Sequence, residues 1–308
     1  MAGEPGARGA MAASAPEDGL LRAAPGDGVS MQEGDAAARV YDLAAAGADY
    51  PRWNGAPRRT IVLCTQQRSG STLLGEAVYF AGGMGCPLEY FHPGFRPAFE
   101  GRWNVSGFEN YVATLHRFRT APSGVFATKL FWRDLLDVAN ERVPGAFETL
   151  RMASPAKVPL DAYRGLFGLM ADAVPNAAWI FLTRRDAVRQ AVSNYVAWKT
   201  DSWRLSVEQK RAAVPESSYD PDLIRRLLSR ILRSNAHWRR FLHANGLAFT
   251  ELSYEDLERD YIGTVRRVFA AAGFPDAPVP PPRLRKQADA VGDALLARFT
   301  AEFGAVRD

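Results

Sequence analysis

Residues 67–72 read Gln-Arg-Ser-Gly-Ser-Thr, a run of small residues with one cation in it. The apolar stretch Thr60–Thr65 precedes the run. After it, Leu73, Leu74, Ala77, Val78 and Phe80 fall largely on one side of a helix. A turn between a strand and a helix presents backbone N–H groups at the positive end of the helix dipole. Gly70 allows close approach, Ser69, Ser71 and Thr72 bring hydroxyls, and Arg68 brings a fixed charge. Together they make an anion site the size of a phosphate or sulfate. The same residues also suit a plain turn with Ser71 or Thr72 as helix cap. The nucleotide triphosphatase loop is excluded, because it needs Lys where this chain has Ser71 and Thr72 after Gly70. Nor does an acidic residue end a later apolar strand, as a magnesium holder would.

A second constellation lies in residues 179–198, where Arg184 and Arg185 close an apolar run and Ser193 follows on a helical stretch. The interval sets Ser193 about two helical turns beyond Arg185. An Arg at a strand end and a Ser on the next helix can grip one phosphate from two directions. The plainer alternative pairs Arg185 with Asp186 or solvent and turns Ser193 outward.

Strands and helices must hold these groups. Thr60–Thr65, residues 125–131, 178–183 and 248–252 read as strands, and the lack of polar alternation in Ile61, Val62 and Leu63 suits a strand covered on both faces. Helices are expected near Asp35–Ala46, from Ser71, over Asp161–Val174, from Asp186, over Pro221–His243, over Thr264–Ala272 and near Ala288–Phe303. Alternating strands and helices predict an α/β fold, a mostly parallel sheet with helices on both faces and right-handed crossovers. Pro87–Ser123 reads as a loop-rich, aromatic stretch over the carboxyl edge of the sheet, where ligands bind in such folds.

The 308 residues are 47% hydrophobic and 23% charged, enough for one large α/β domain over residues 36–308. Residues 1–35 are rich in Ala, Gly, Pro and acids and are expected to be a disordered extension. A net charge of +4 suits an anionic ligand but is too weak and dispersed for nucleic acid. Cys64 and Cys86 make no disulfide framework, and no Cys/His cluster has zinc spacing. With no secretory signal and no apolar run long enough to span a bilayer, the expectation is a cytoplasmic protein without a structural metal.

Gln67–Thr72 resembles the 5′-phosphosulfate loop of sulfotransferases, and Arg185 with Ser193 resembles their 3′-phosphate site. The chain as a whole resembles the bacterial carbohydrate sulfotransferases typified by trehalose 2-sulfotransferase. In that family a QRSGST loop is followed by G-x-P-x-E-F-F, here GCPLEYF at residues 85–91. TKLFW (128–132), TRRDAVRQAVS (183–193), TDSWR (200–204), YEDL (254–257) and RKQAD (285–289) extend the match over about residues 58–300.

The resemblance implies a P-loop-like fold and 3′-phosphoadenosine 5′-phosphosulfate as donor, without a metal. It also implies a carbohydrate or glycolipid acceptor and Glu89 as general base, and it leaves a homodimer open. A P-loop-type kinase and a non-catalytic nucleotide- or anion-binding module are the alternatives. Two departures, Cys86 for Glu and Leu88 for Gln, are expected beside the acceptor. The apolar setting of Pro87–Phe91 is expected to raise the Glu89 carboxyl toward neutrality. His92 is the rival base. Lys129, Trp132 and Trp203 are candidate substrate contacts, with Tyr90 a further aromatic platform, and each has a core or surface alternative. Arg204, Arg285 and Lys286 are candidate phosphate contacts.

Overall fold

In the computed structural model, residues 41–201, 203, 219–284 and 290–304 are described. The expectations for residues 1–35, Arg204, Arg285 and Lys286 lie outside them. The strands are β1 (Arg59–Thr65), β2 (Val125–Phe131), β3 (Ala177–Thr183) and β4 (Phe249–Ser253). They form one sheet in the order β2-β1-β3-β4, with every neighbouring pair parallel. The chain leaves β1 for β2 on one side and returns to β3 on the other. Strand order therefore reverses at the carboxyl end of β1, the place where open α/β sheets bind ligands.

The helices along the chain are α1 (Ser71–Phe80), α2 (Arg96–Trp103), α3 (Phe108–Arg119), α4 (Trp132–Arg142), α5 (Glu148–Met152) and α6 (Leu160–Met170). They continue as α7 (Ala187–Thr200), α8 (Pro221–Ala244), α9 (Tyr254–Arg259), α10 (Tyr261–Ala272) and α11 (Ala290–Phe303). Successive strand residues feed opposite cores. Val62 and Cys64 of β1 join a core built with α3, α4, α6 and the second half of α8. Ile61 and Leu63 join another, made with α1, α9 and α10. This is the expected two-sided cover, and it explains why β1 and β2 read as unbroken apolar runs. A third core joins α7 to the first half of α8 and to Phe299 of α11.

Two expectations need correction. Pro87–Ser123 is less loop-rich than expected, because α2 and α3 lie within it. Phe108, Tyr111, Val112 and Leu115 of α3 recur at helical steps and are buried together. Nor does the segment simply overlie the carboxyl edge: Leu88 pairs with Thr128 as an isolated parallel bridge, so residues near 88 run along the outer side of β2.

The described part of the expected Asp35–Ala46 helix is non-helical, apart from a single 3-10 turn at Ala46–Ala48. Arg119 is the reason. Its fully buried guanidinium donates to the carbonyls of Leu43 (2.8 Å), Ala44 (3.2 Å) and Ala48 (3.3 Å) and ion-pairs with Asp49 (3.0 Å). Carbonyls spent on a buried cation are not available to a helical ladder.

Candidate active site

The turn after β1 carries Arg68 at φ 64° and Gly70 at φ 85°, both left-handed. Gly70 is required twice over. A side chain is strained at that φ, and a Cβ there would meet the Tyr254 ring at 2.8 Å. Neighbouring strand ends hold the turn. Thr65 donates its hydroxyl to the Leu182 carbonyl (2.8 Å) and shares a 2.6 Å hydrogen bond with Ser69, whose side chain is buried. Gln190 of α7 donates to the Gln67 carbonyl (2.7 Å), and Arg184 donates to the Arg68 carbonyl (3.4 Å). The Arg184 guanidinium also lies 4.5 Å from the Tyr254 ring centre, so the ends of β3 and β4 brace the turn together.

α1 begins with Ser71 and Thr72, has no side-chain cap and carries no acid in its first turn. The Gln66 side chain is 3% exposed, and its amide nitrogen has no hydrogen-bond partner. An uncapped, acid-free helix start beside an unpartnered buried donor fits a bound oxyanion.

Arg68 reaches across to α7. Its Nε donates to Ser193 Oγ at 3.0 Å, and its Nη1 donates to the Trp203 carbonyl at 2.7 Å. The structure thus joins the loop and Ser193, the two stretches singled out in the sequence. Arg185 stands elsewhere. Its side chain is 58% exposed and pairs with Asp256 at 2.6 Å, a partner that sequence reading did not name. Its backbone N–H donates to Glu255 (3.0 Å), also in the YEDL stretch.

The Gly85–Phe91 segment is fitted against β2 and α1 at the backbone. A Cβ on Gly85 would lie 2.7 Å from the Ala127 nitrogen, and one on Gly75 of α1 would lie 3.2 Å from the Pro87 carbonyl. Lys129 N–H donates to the Leu88 carbonyl at 2.8 Å. Glu89 is next in the chain, and its Oε1 meets Lys129 Nζ at 2.8 Å. The apolar setting expected for Glu89 is therefore incomplete: its side chain is 19% exposed and faces an ammonium. Lys129, a candidate substrate contact in the sequence with an edge lysine reaching solvent as the alternative, lies on this carboxylate.

Other candidates are placed differently from the expectation. Cys86 is fully buried, and burial pushes its thiol up to about 11, so it packs in the core rather than beside an acceptor. Leu88 is half-buried against the core around α3 and α4. Tyr90 is fully buried, its hydroxyl donating to the Cys86 carbonyl (2.7 Å) and its carbonyl accepting from Tyr111 (2.7 Å). Trp132 is 3% exposed and stacks flat on His237, with ring centres 5.0 Å apart. Neither ring offers an open platform. Trp203 does stand exposed, its indole donating to Asp201 at 3.1 Å.

His92 Nδ1 accepts from the Gly94 N–H at 3.0 Å. Burial lowers its pKa, with the Glu89 charge acting the other way. Sequence reasoning missed Asp134 in the first turn of α4. Burial, then the Glu89 charge, push its carboxyl well above the usual range, and one oxygen accepts from the Phe131 N–H at 3.4 Å. A lone Asp in WRDLLD gives no sequence signal for this. Among the described residues, no group of three or more His, Cys, Asp or Glu side chains converges as a metal site would, and no helix is long and apolar enough to cross a membrane.

An α/β sheet with an uncapped, acid-free helix start at its switch point is the architecture in which such folds bind anionic ligands. Comparison with known proteins narrows the class. Residues 60–302 match the Stf0 sulphotransferase family, so the chain belongs to that family. The P-loop-type kinase reading falls away with this membership. A trehalose 2-sulfotransferase from Mycobacterium tuberculosis strain Erdman is 27% identical over 272 residues, covering 80% of this chain and 96% of the relative. One of the same name from Mycolicibacterium smegmatis is 27% identical, covering 79% and 94%. The crystal structure of a sulfotransferase from Alicyclobacillus acidocaldarius aligns with a TM-score of 0.39 at 17% identity, covering 81% of this chain and 97% of that one.

Proposed function

We propose that this sulfotransferase moves a sulfuryl group from 3′-phosphoadenosine 5′-phosphosulfate to a hydroxyl of a carbohydrate or glycolipid, with Glu89 as general base and without a metal. The observation that carries the reading is the placement of Glu89. The segment bearing it is packed, through Pro87, on the helix that starts at the turn proposed to hold the anion. Trehalose-like sugars are the first acceptors to try, in view of the names of the two relatives. A cytoplasmic location belongs to the same proposal.

The donor supplies a sulfur centre carrying a good leaving group. The acceptor oxygen bonds to that sulfur while the bond from sulfur to the 5′-phosphate oxygen breaks, and the hydroxyl proton passes to Glu89. The residues of this chain have separate tasks. The amides after Arg68, the Ser71 and Thr72 hydroxyls and the Arg68 guanidinium take the 5′ end and stabilise its developing charge. Ser193 and Arg185 take the 3′-phosphate, which asks Arg185 to give up Asp256. Glu89 removes the proton.

The test is Glu89→Gln, which keeps shape and removes basicity. Turnover should fall by about 10²–10⁴, while calorimetric affinity for 3′,5′-phosphoadenosine stays near the wild-type value. Near-normal turnover in Glu89→Gln, with loss in His92→Ala, would transfer the role to His92.

A further inference from the structure

Lys129 occupies the middle of a strand whose other members are Val125, Phe126, Ala127, Thr128, Leu130 and Phe131, all buried. Its own side chain is 5% exposed, and its partners in register on β1 are apolar, Leu63 opposite and Cys64 next along. An ammonium in that place is costly, and packing alone would favour Met or Leu. The fold therefore gives no reason for a lysine here. The reason stands 2.8 Å away in the Glu89 carboxylate.

Lys129 is attached to the Glu89 segment twice. Its backbone N–H holds the Leu88 carbonyl (2.8 Å), and the adjacent Thr128 hydroxyl holds the same carbonyl (3.2 Å). Its ammonium then holds Glu89 Oε1. Backbone register fixes where Glu89 leaves the chain, and the ion pair fixes where its head lies. A carboxylate gripped by one oxygen keeps a second for a proton. Among the described residues, Lys129 from β2, Asp134 from α4 and His92 from its own segment bear on it, and Arg133 and Asp137 of α4 act in turn on the last two. Burial suppresses the charge of Asp134 and His92, since it raises the Asp134 carboxyl and lowers the His92 ring. Of these groups, Lys129 is the one ion-paired with the carboxylate.

We propose that Lys129 is a positioning residue that orients the Glu89 carboxylate and balances its charge, rather than a contact to donor or acceptor. The proposal rests on the reading of Glu89 as the base, and the experiment separates the two. Wild type, Lys129→Met, Lys129→Arg, Glu89→Gln and Lys129→Met/Glu89→Gln are compared on a sugar that the wild type sulfates, trehalose being the first tried. kcat, its pH profile and calorimetric affinity for 3′,5′-phosphoadenosine are measured. Lys129→Met should lower kcat by about tenfold or more, as expected for loss of a charge-assisted contact. The acidic limb of its profile should move to higher pH, because a lost neighbouring cation favours the proton. Affinity for 3′,5′-phosphoadenosine should stay put, and the double variant should be no slower than Glu89→Gln.

A several-fold loss of that affinity in Lys129→Met would overturn the proposal in favour of a donor contact. So would an equal loss of kcat in both backgrounds, or an unmoved acidic limb. Should Lys129→Met fail to fold, Lys129→Arg decides: it keeps the charge, so kcat should fall while the limb stays, and a displaced limb overturns the proposal. If Glu89→Gln alone turns over normally, the base assignment fails instead.

Discussion

Arg68 and Ser193 are 125 positions apart in sequence, yet they share one hydrogen bond of 3.0 Å. That bond puts the 5′ and 3′ ends of the proposed donor site within reach of a single guanidinium. Arg185 belongs to the same proposal from a different starting point, because its salt bridge to Asp256 must be exchanged for a phosphate. Arg185 is the exposed member of that pair, and Asp256 keeps Arg259 at 3.0 Å when Arg185 leaves. Alanine at both Arg185 and Ser193 should therefore weaken binding of 3′,5′-phosphoadenosine, each lost charge-assisted contact costing roughly 1.5–3 kcal/mol. Calorimetry with adenosine 5′-phosphate as comparison isolates the 3′ contribution. If the double variant discriminates between the two nucleotides as well as wild type does, these residues hold something else.

At the scale of elements, the turn after β1 depends on its backbone. Gly70→Ala combines a left-handed φ with a Cβ 2.8 Å from Tyr254, so it should lower both melting temperature and nucleotide affinity. Gly82→Ala is the control: φ is similar, but nothing lies within 4 Å of the added carbon, so affinity should be spared. Equal affinity in both variants would show that Tyr254 does not shape the turn.

The core behind α4 makes a pH-dependent prediction. His237 accepts from the Tyr163 hydroxyl (2.9 Å) and donates to the Ala153 carbonyl (3.2 Å), a neutral tautomer stacked on Trp132. Burial, opposed by the Ala153 bond and aided by Arg233 and Arg240, holds the ring down at about 4 instead of 6.5. The unfolded chain then binds more protons between those values. Stability is full above pH about 6.5 and declines as pH falls toward about 4. In His237→Gln, the drop in melting temperature from pH about 7 to about 5 should be smaller than in wild type. An identical drop would remove His237 from the account.

Strands and helices were legible where one physical signal dominated. β2 occupies the expected residues 125–131, because a two-sided apolar strand has a composition of its own. The start of α7 was visible in Asp186, which caps it by accepting from the Arg189 N–H at 2.8 Å. α3 was hidden by aromatic density and α4 by following a strand without a break, although α3 carries a helical period. The 41–48 segment was unreadable for a stronger reason. A helix-favouring Ala-rich stretch is claimed by Arg119, and nothing local announces a cation more than seventy positions away. For the site, the sequence displayed the loop and Ser193, which the structure joins, while Arg185, paired with Ser193 in the sequence reading, lies on Asp256. The Glu89–Lys129 contact needed tertiary structure, since it depends on Leu88 pairing beside β2.

For the molecule as a whole, the parallel sheet reverses its strand order at β1 and the family match spans residues 60–302, and the proposed chemistry belongs at the carboxyl edge of that sheet. The most direct test supplies the full chain with 3′-phosphoadenosine 5′-phosphosulfate labelled in its sulfuryl group. Excess chelator and a panel of sugars and glycolipids that includes trehalose complete the mixture. The account predicts that label appears on at least one carbohydrate hydroxyl, that chelator leaves the rate unchanged, and that Glu89→Gln abolishes most of it. Absence of labelled product across the panel, or transfer that chelator stops and magnesium restores, would contradict it.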